Sequence, residues 1–200
     1  MGELAVTEDD LVIAVDGGLS YCGILNVEPD LIIGDFDSMS DGELQALEVL
    51  KQDIPERIIT LPCEKDDTDT VFAMKEAIRR GYTDFLFIGV IGGRLDHTLG
   101  NVSMLLYLET LGLTGRILDD YSCREIVSRR EALVEDAYAF FSLLNISGTA
   151  RGICIENAKY PLQDGEITCE YQYGVSNEVL PGKTARITVG EGRLLLIKDL

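Results

Sequence analysis

Short aliphatic runs alternating with segments of helical periodicity limit most strongly what this chain can fold into. Apolar runs stand at residues 11–15, 31–33, 57–61, 85–91 and 115–118. Helical spacing fills three of the gaps. One helix is expected from Ser40 or Asp41 to about Gln52, with Leu44, Leu47 and Leu50 inward. A second, capped by Thr68 and stopped by Gly81, places Val71, Met74 and Ile78 on one face. A third runs from about Thr98 to Leu111. Residues 85–91 are apolar throughout, as expected of a strand buried on both faces. Strand–helix alternation with such strands implies a parallel sheet with helices on its faces.

The pattern changes near residues 134–137. Beyond it stand runs rich in β-branched and aromatic residues at 138–146, 150–157, 167–173, 185–189 and 193–198, separated by glycine and proline. The fold class expected is therefore α/β: a Rossmann-like parallel-sheet domain over residues 1–133, followed by an all-β sandwich over residues 134–200.

Bulk properties narrow the function. The net charge is −18, which argues against nucleic acid and suits a bound metal or a cationic substrate, although a plain acidic surface accounts for it as well. The five cysteines are odd in number, scattered, and lack C-x-x-C spacing, so reduced thiols are expected rather than disulfides or zinc. No apolar run reaches the ~18 residues of a membrane span, and the N-terminus does not read as a secretory signal. A cytoplasmic location is expected.

Four acidic clusters follow a strand or open a helix: Asp16; Asp35 with Asp37; Asp66, Asp67 and Asp69; and Asp96. In an open parallel sheet such loops form the ligand crevice. Two carboxylates 4 Å apart repel by about 4 kcal/mol at an effective dielectric near 20, so their convergence calls for a cation. Oxygen ligands suit Mg²⁺, which also retains phosphate oxygens. Gly17-Gly18 and Gly92-Gly93 allow phosphate to approach backbone N–H groups, Arg94 can clamp phosphate, and Lys65 can act as a point charge. His97, the single histidine, and Asn101 share one helix face. Each piece also fits a plainer role: a solvated turn at 35–37, a helix-dipole partner at 66–69, a helix cap at Asp96, a histidine satisfied by its own helix end.

The segments Asp16-Gly17-Gly18, Gly34-Asp35-Phe36-Asp37-Ser38, Lys65-Asp66-Asp67-Thr68-Asp69-Thr70 and Gly92-Gly93-Arg94-Leu95-Asp96-His97, with Lys159-Tyr160-Pro161-Leu162 and Ser176-Asn177-Glu178, resemble the thiamine pyrophosphokinase family in order and spacing. The resemblance implies a homodimer with a shared active site. In it ATP and Mg²⁺ serve transfer of a pyrophosphoryl group to thiamine, with AMP leaving. It implies metal binding by Asp35, Asp37 and Asp69. Asp16, Gly17, Gly18, Lys65, Gly93, Arg94, His97 and Asn101 would bind ATP, with Asp96, Asp69 and Arg94 catalytic. Ser176 and Asn177 would meet thiamine from the partner subunit. The family opens with a further strand before the segment matching residues 11–15. Here ten mostly polar residues precede that segment, so the strand is expected to be missing, with Gly2-Glu3 as a remnant of its turn. The family sandwich can also set a tryptophan against the substrate; this chain has none, leaving Tyr171, Tyr173 or another apolar residue for that place. Two other readings share the phosphate site: a pyrophosphokinase for a pterin-type alcohol, and a non-catalytic nucleotide sensor.

Overall fold

The computed structural model describes residues 5–37 and 39–200, without the side chains of Asp41 and Glu43. Gly2-Glu3 lies outside the described residues. The chain divides into two compact units, Met1–Thr83 and Asp84–Leu200.

In the first unit, β1 (Ile13–Val15), β2 (Leu31–Gly34) and β3 (Ile58–Thr60) form a parallel sheet in that order. Ahead of β1 the described residues make a turn at Thr7–Asp10 and no strand. The helices are α1 (Gly18–Leu25), α2 (Asp41–Asp53) and α3 (Asp69–Arg79). Alternate strand residues face opposite ways. Ala14, Ile32 and Ile58 pack with Cys22 of α1 and with Leu47 and Leu50 of α2. Ile13, Val15, Leu31, Ile33 and Ile59 pack with Phe72 and Ala73 of α3. Both faces of this sheet are therefore covered, which explains its uninterrupted apolar runs.

Three local expectations change. Leu44 is exposed, whereas Leu47 and Leu50 of α2 face inward as expected. On α3 Met74 is buried as expected, but its buried companions are Ala73 and Ala77, while Val71 and Ile78 are half-buried. Thr68 caps α3 as expected, accepting from the Val71 N–H at 3.3 Å. The turn Asp16-Gly17-Gly18 opens α1, a helix whose weak periodicity hid it.

The second unit begins with β4 (Asp84–Ile88), α4 (Leu95–Thr110) and β5 (Thr114–Leu118), and β4 and β5 pair in parallel. The parallel strands thus fall in two sheets. β5 continues antiparallel into β6 (Ser122–Val127), and the six-stranded order is β11-β8-β13-β6-β5-β4, with β8 (Phe140–Leu144), β11 (Gly174–Asn177) and β13 (Leu194–Asp199). β4 is the edge of this sheet and leaves Leu86 exposed, so it is not buried on both faces. A four-stranded antiparallel sheet contains β7 (Ala132–Glu135), β9 (Thr149–Glu156), β10 (Leu162–Thr168) and β12 (Thr184–Thr188). β10 ends at Thr168, short of the expected 173, because Thr168 bridges back to Tyr171.

One core joins the two sheets of this unit. Phe141, Leu143, Leu194 and Leu196 meet Ile153, Ile155, Ile167 and Ile187. The alternate residues Leu195 and Ile197 face the other way and join Leu105 of α4 and Ile117 of β5. α4 lies tight on β5 at Gly115, where a Cβ would come within 2.6 Å of Leu108 Cδ1. As expected, no helix follows residue 134. No helix among the described residues is long and apolar enough to cross a membrane. All five cysteines are free.

Candidate active site

The first unit assembles its acids at the carboxyl ends of its strands. Asp16 directly follows β1, and its N–H donates to Ile33 O at 3.0 Å, extending the β1–β2 ladder by one bond. Its backbone sits at φ 46°, an uncommon left-handed conformation for a non-glycine residue. Asp35 follows β2, and beyond it Phe36 is left-handed too, at φ 61°. Burial of the Phe36 ring among Ala14, Ile32 and Leu47 offsets that backbone cost. The Phe36 N–H donates to Asp16 Oδ1 at 3.4 Å and so ties the two loops together. Gly34 is what allows the approach: a Cβ there would lie 2.0 Å from Asp16 Oδ1. Asp69 opens α3, one residue after the Thr68 cap.

Oxygens of Asp16, Asp35 and Asp69 lie within 4.8 Å of one another. Lys65 reaches into this group. Its Nζ is 2.7 Å from Asp35 Oδ2 and 3.0 Å from Asp69 Oδ1, and it donates to Pro62 O at 3.1 Å. The contact with Asp69 is a charge contact only, since Asp69 Oδ1 is buried and accepts no hydrogen bond. The hydrogen bond from Lys65 holds the Asp35 carboxyl below its usual range. Among the described residues no cation pairs with Asp16. Burial first, then the charges of Asp69 and Asp35, push its carboxyl up to about 6. A buried carboxylate oxygen that accepts no hydrogen bond and is met by a single ammonium at 3.0 Å, beside two more carboxylates, fits a hard divalent cation.

Asp37 takes a different place. It is exposed, its N–H donates to Asp35 Oδ1 at 3.3 Å, and its carboxylate groups with Asp35 and the Cys63 thiol within 4.8 Å. Sulfur is a soft ligand, poorly matched to Mg²⁺, so the all-oxygen group is the better hard-cation site. Asp66 is exposed, and Asp67 pairs with Lys75 at 2.6 Å.

In the second unit, Arg94 and Asp96 form an exposed fork, Nη2 to Oδ2 at 2.6 Å and Nε to Oδ1 at 3.3 Å. Arg94 holds the Asp96 carboxyl below its usual range. Gly93 and His97 are exposed beside them. Asn101 donates to Val90 O at 2.7 Å, which fastens α4 to the loop after β4. Asn177 is buried. Its amide accepts from Tyr160 N (3.0 Å) and Glu178 N (2.9 Å) and donates to Tyr160 O (2.8 Å). Its neighbour Ser176 is exposed, at φ 59°. Tyr171 is exposed and 5.5 Å from the Tyr173 ring, whose hydroxyl donates to Glu166 O at 2.7 Å.

The family model described as thiamin pyrophosphokinase, catalytic domain, matches residues 3–114, more than half of the chain. The model described as the vitamin B1 binding domain of thiamin pyrophosphokinase matches residues 126–194. This chain belongs to the thiamin pyrophosphokinase family. The thiamine pyrophosphokinase of Bacillus subtilis is 27% identical over 197 residues, covering 96% of this chain and 88% of that protein. The solved structure of a thiamin pyrophosphokinase from Geobacillus thermodenitrificans is 27% identical with a TM-score of 0.81, covering 98% of this chain and 88% of its own. A Bacillus subtilis thiamine pyrophosphokinase structure superposes with a TM-score of 0.86 at 24% identity, covering 97% and 89%; at that identity it speaks for the fold alone.

Within this member of the thiamin pyrophosphokinase family, the structure gathers Asp35 and Asp69 from the metal set read in the sequence, adds Asp16, and leaves Asp37 on the exposed side of Asp35. Cys63 beside Asp35 and Asp37 was not foreseen. Only its short distance from Lys65 in the chain hinted at it.

Proposed function

We propose that this chain transfers the pyrophosphoryl group of ATP to the hydroxyl of thiamine, releasing AMP. The observation that carries the reading is the carboxylate group of Asp16, Asp35 and Asp69, drawn from three loops distant in sequence, with one buried oxygen left without a hydrogen bond. These residues would hold Mg²⁺, with Asp37 at the margin. Bound there, the ion would neutralise phosphate charge and order the polyphosphate.

The remaining roles belong to the chain itself. The N–H groups of Gly17, Gly18 and Gly93 bind phosphate oxygens. A Cβ at any of the three would meet nothing within 4 Å, so local packing does not require these glycines, whereas an approaching phosphate would. Lys65 supplies a point charge and Arg94 a planar clamp. Asp96, kept ionised by Arg94, accepts the hydrogen bond of the thiamine hydroxyl and orients it toward the β-phosphorus. His97 flanks the nucleotide, and Asn101 holds the 90–93 loop in place. Ser176, with the exposed Tyr171 and Tyr173 nearby in sequence, forms the thiamine side, and Asn177 keeps that segment in shape.

We extend the proposal to the finer architecture. Residues 1–133 serve as a Rossmann-like ATP and Mg²⁺ domain and residues 134–200 as a thiamine-binding β-sandwich; the compact units divide earlier, after Thr83, and what supports the functional division is the parallel strands β1–β5 lying ahead, in the chain, of the core shared between two sheets. The active unit is a cytoplasmic homodimer in which a partner copy supplies the Ser176 segment. Incubating the protein with ATP, Mg²⁺ and thiamine should yield AMP and thiamine diphosphate in equal amounts. Asp69→Asn should cut the rate at least ~100-fold without loss of fold. Failure to form AMP, or preference for a pterin alcohol over thiamine, overturns the reading.

A further inference from the structure

Resting on the cation site proposed above, we infer that Lys65 is a resident counter-ion that a divalent ion must displace. Its ammonium contacts two of the three carboxylates that would ligate the ion, at 2.7 Å to Asp35 and 3.0 Å to Asp69. A cation coordinated by the same oxygens cannot share that space with the ammonium, and the like charges repel. The geometry marks Lys65 as a temporary occupant. It hydrogen-bonds Asp35 and the Pro62 carbonyl, yet leaves the buried Asp69 Oδ1 without a hydrogen bond. Its place in the loop between β3 and α3 is irregular backbone, and four flexible methylenes let the head swing without moving either element. The displaced ammonium remains within a side chain's length of the carboxylates, where the phosphates of an incoming nucleotide would receive it. Metal and nucleotide then bind cooperatively. The ion frees the lysine for phosphate, and phosphate holds the lysine away from the ion's ligands.

The test is calorimetric titration of the nucleotide-free protein with Mn²⁺ alone. Lys65→Met should bind Mn²⁺ about tenfold tighter than the parent, while Lys65→Arg, which keeps the charge, stays within about twofold of it. Lys75→Met deletes an equal charge from the exposed pair with Asp67 and controls for the general field; it should shift affinity less than twofold. If Lys65→Met is insoluble, Lys65→Gln replaces it with the same expectation. In the parent, a saturating non-hydrolysable ATP analogue should tighten Mn²⁺ binding, and Lys65→Met should lose most of that gain. Equal or weaker Mn²⁺ binding by Lys65→Met, or an equal gain in Lys75→Met, overturns the inference. Neither result depends on turnover, so failure of the AMP assay is read separately.

Discussion

At Asp16 burial and two neighbouring carboxylates act together against ionisation, and only the Phe36 N–H acts for it. With its carboxyl pushed up to about 6, the folded chain keeps a proton through a range in which the unfolded chain, titrating near the ordinary ~4, has lost it. The stability that Asp16 itself contributes therefore falls as pH rises from about 4 to 6 and levels off above. Asp16→Asn removes that slope and keeps an oxygen for the Phe36 N–H. In EDTA at pH 7.5 the variant should be more stable than the parent by about 1 kcal/mol, a figure discounted for partial exposure, and the difference should vanish near pH 4. Excess Mg²⁺ should shrink or reverse it, since the parent gains the ligand. Urea midpoints at both pH values check this, and a variant less stable than the parent at pH 7.5 would refute it. The grouping of Asp35 with Asp69 was legible from their motifs, because acids at strand ends and helix starts are informative in the sequence itself. The sequence reading counts Asp16 among the converging acids but places it with the phosphate-binding residues, and that its oxygen stands in the same group as Asp35 and Asp69 was not legible. It depends on Gly34 leaving room for an oxygen, and a missing side chain does not say which neighbour fills the space.

Strand β11 shows how far an element can be read from its letters. Ser176 and Asn177 stand side by side in the family motif, yet the fold gives them opposite tasks. The amide of Asn177 serves three backbone groups, the N–H and carbonyl of Tyr160 across the gap and the N–H of its own neighbour Glu178, while Ser176 stays exposed. Asn177→Ala would leave those groups unpaired at a cost of about 2–3 kcal/mol, which for a chain of this size lowers the melting midpoint by roughly 4–12 °C. Ser176→Ala should leave the midpoint within about 2 °C and raise the KM for thiamine. Scanning calorimetry with steady-state kinetics separates the two, and the opposite split would show that Asn177 is the ligand. β1–β3 were readable because burial on both faces forces continuous apolar runs. β6 was not, because Arg124 and Glu125 interrupt its pattern. The structure accommodates them by ion pairing, Arg124 with Asp119 at 2.9 Å and Glu125 with Lys198 at 2.6 Å. α1 escaped notice because Gly18 and Gly23 dilute an eight-residue helix that buries only Cys22.

Across the whole molecule, thirty-five acidic side chains oppose seventeen basic ones, a net charge of −18 that repels a free nucleotide polyanion. Affinity for ATP must then depend on the divalent ion far more than in a basic protein. This gives the reading a test that needs neither chemistry nor mutation. A ligand that binds only the folded chain stabilises it by about 2.7 kcal/mol at a hundred times its Kd, or roughly 5–11 °C in a chain of two hundred residues. Mg·ATP at that excess should move the midpoint by this amount, Mg²⁺ alone by a fraction of it, and ATP in EDTA by almost nothing. Because the chain forms two compact units, calorimetry can show two transitions. Mg²⁺ alone should then shift only the transition of the unit that holds Asp16, Asp35 and Asp69. An equal shift from ATP in EDTA would mean that the nucleotide binds without those carboxylates. A Mg²⁺ shift confined to the other transition would move the metal off the rim of β1, β2 and β3 altogether.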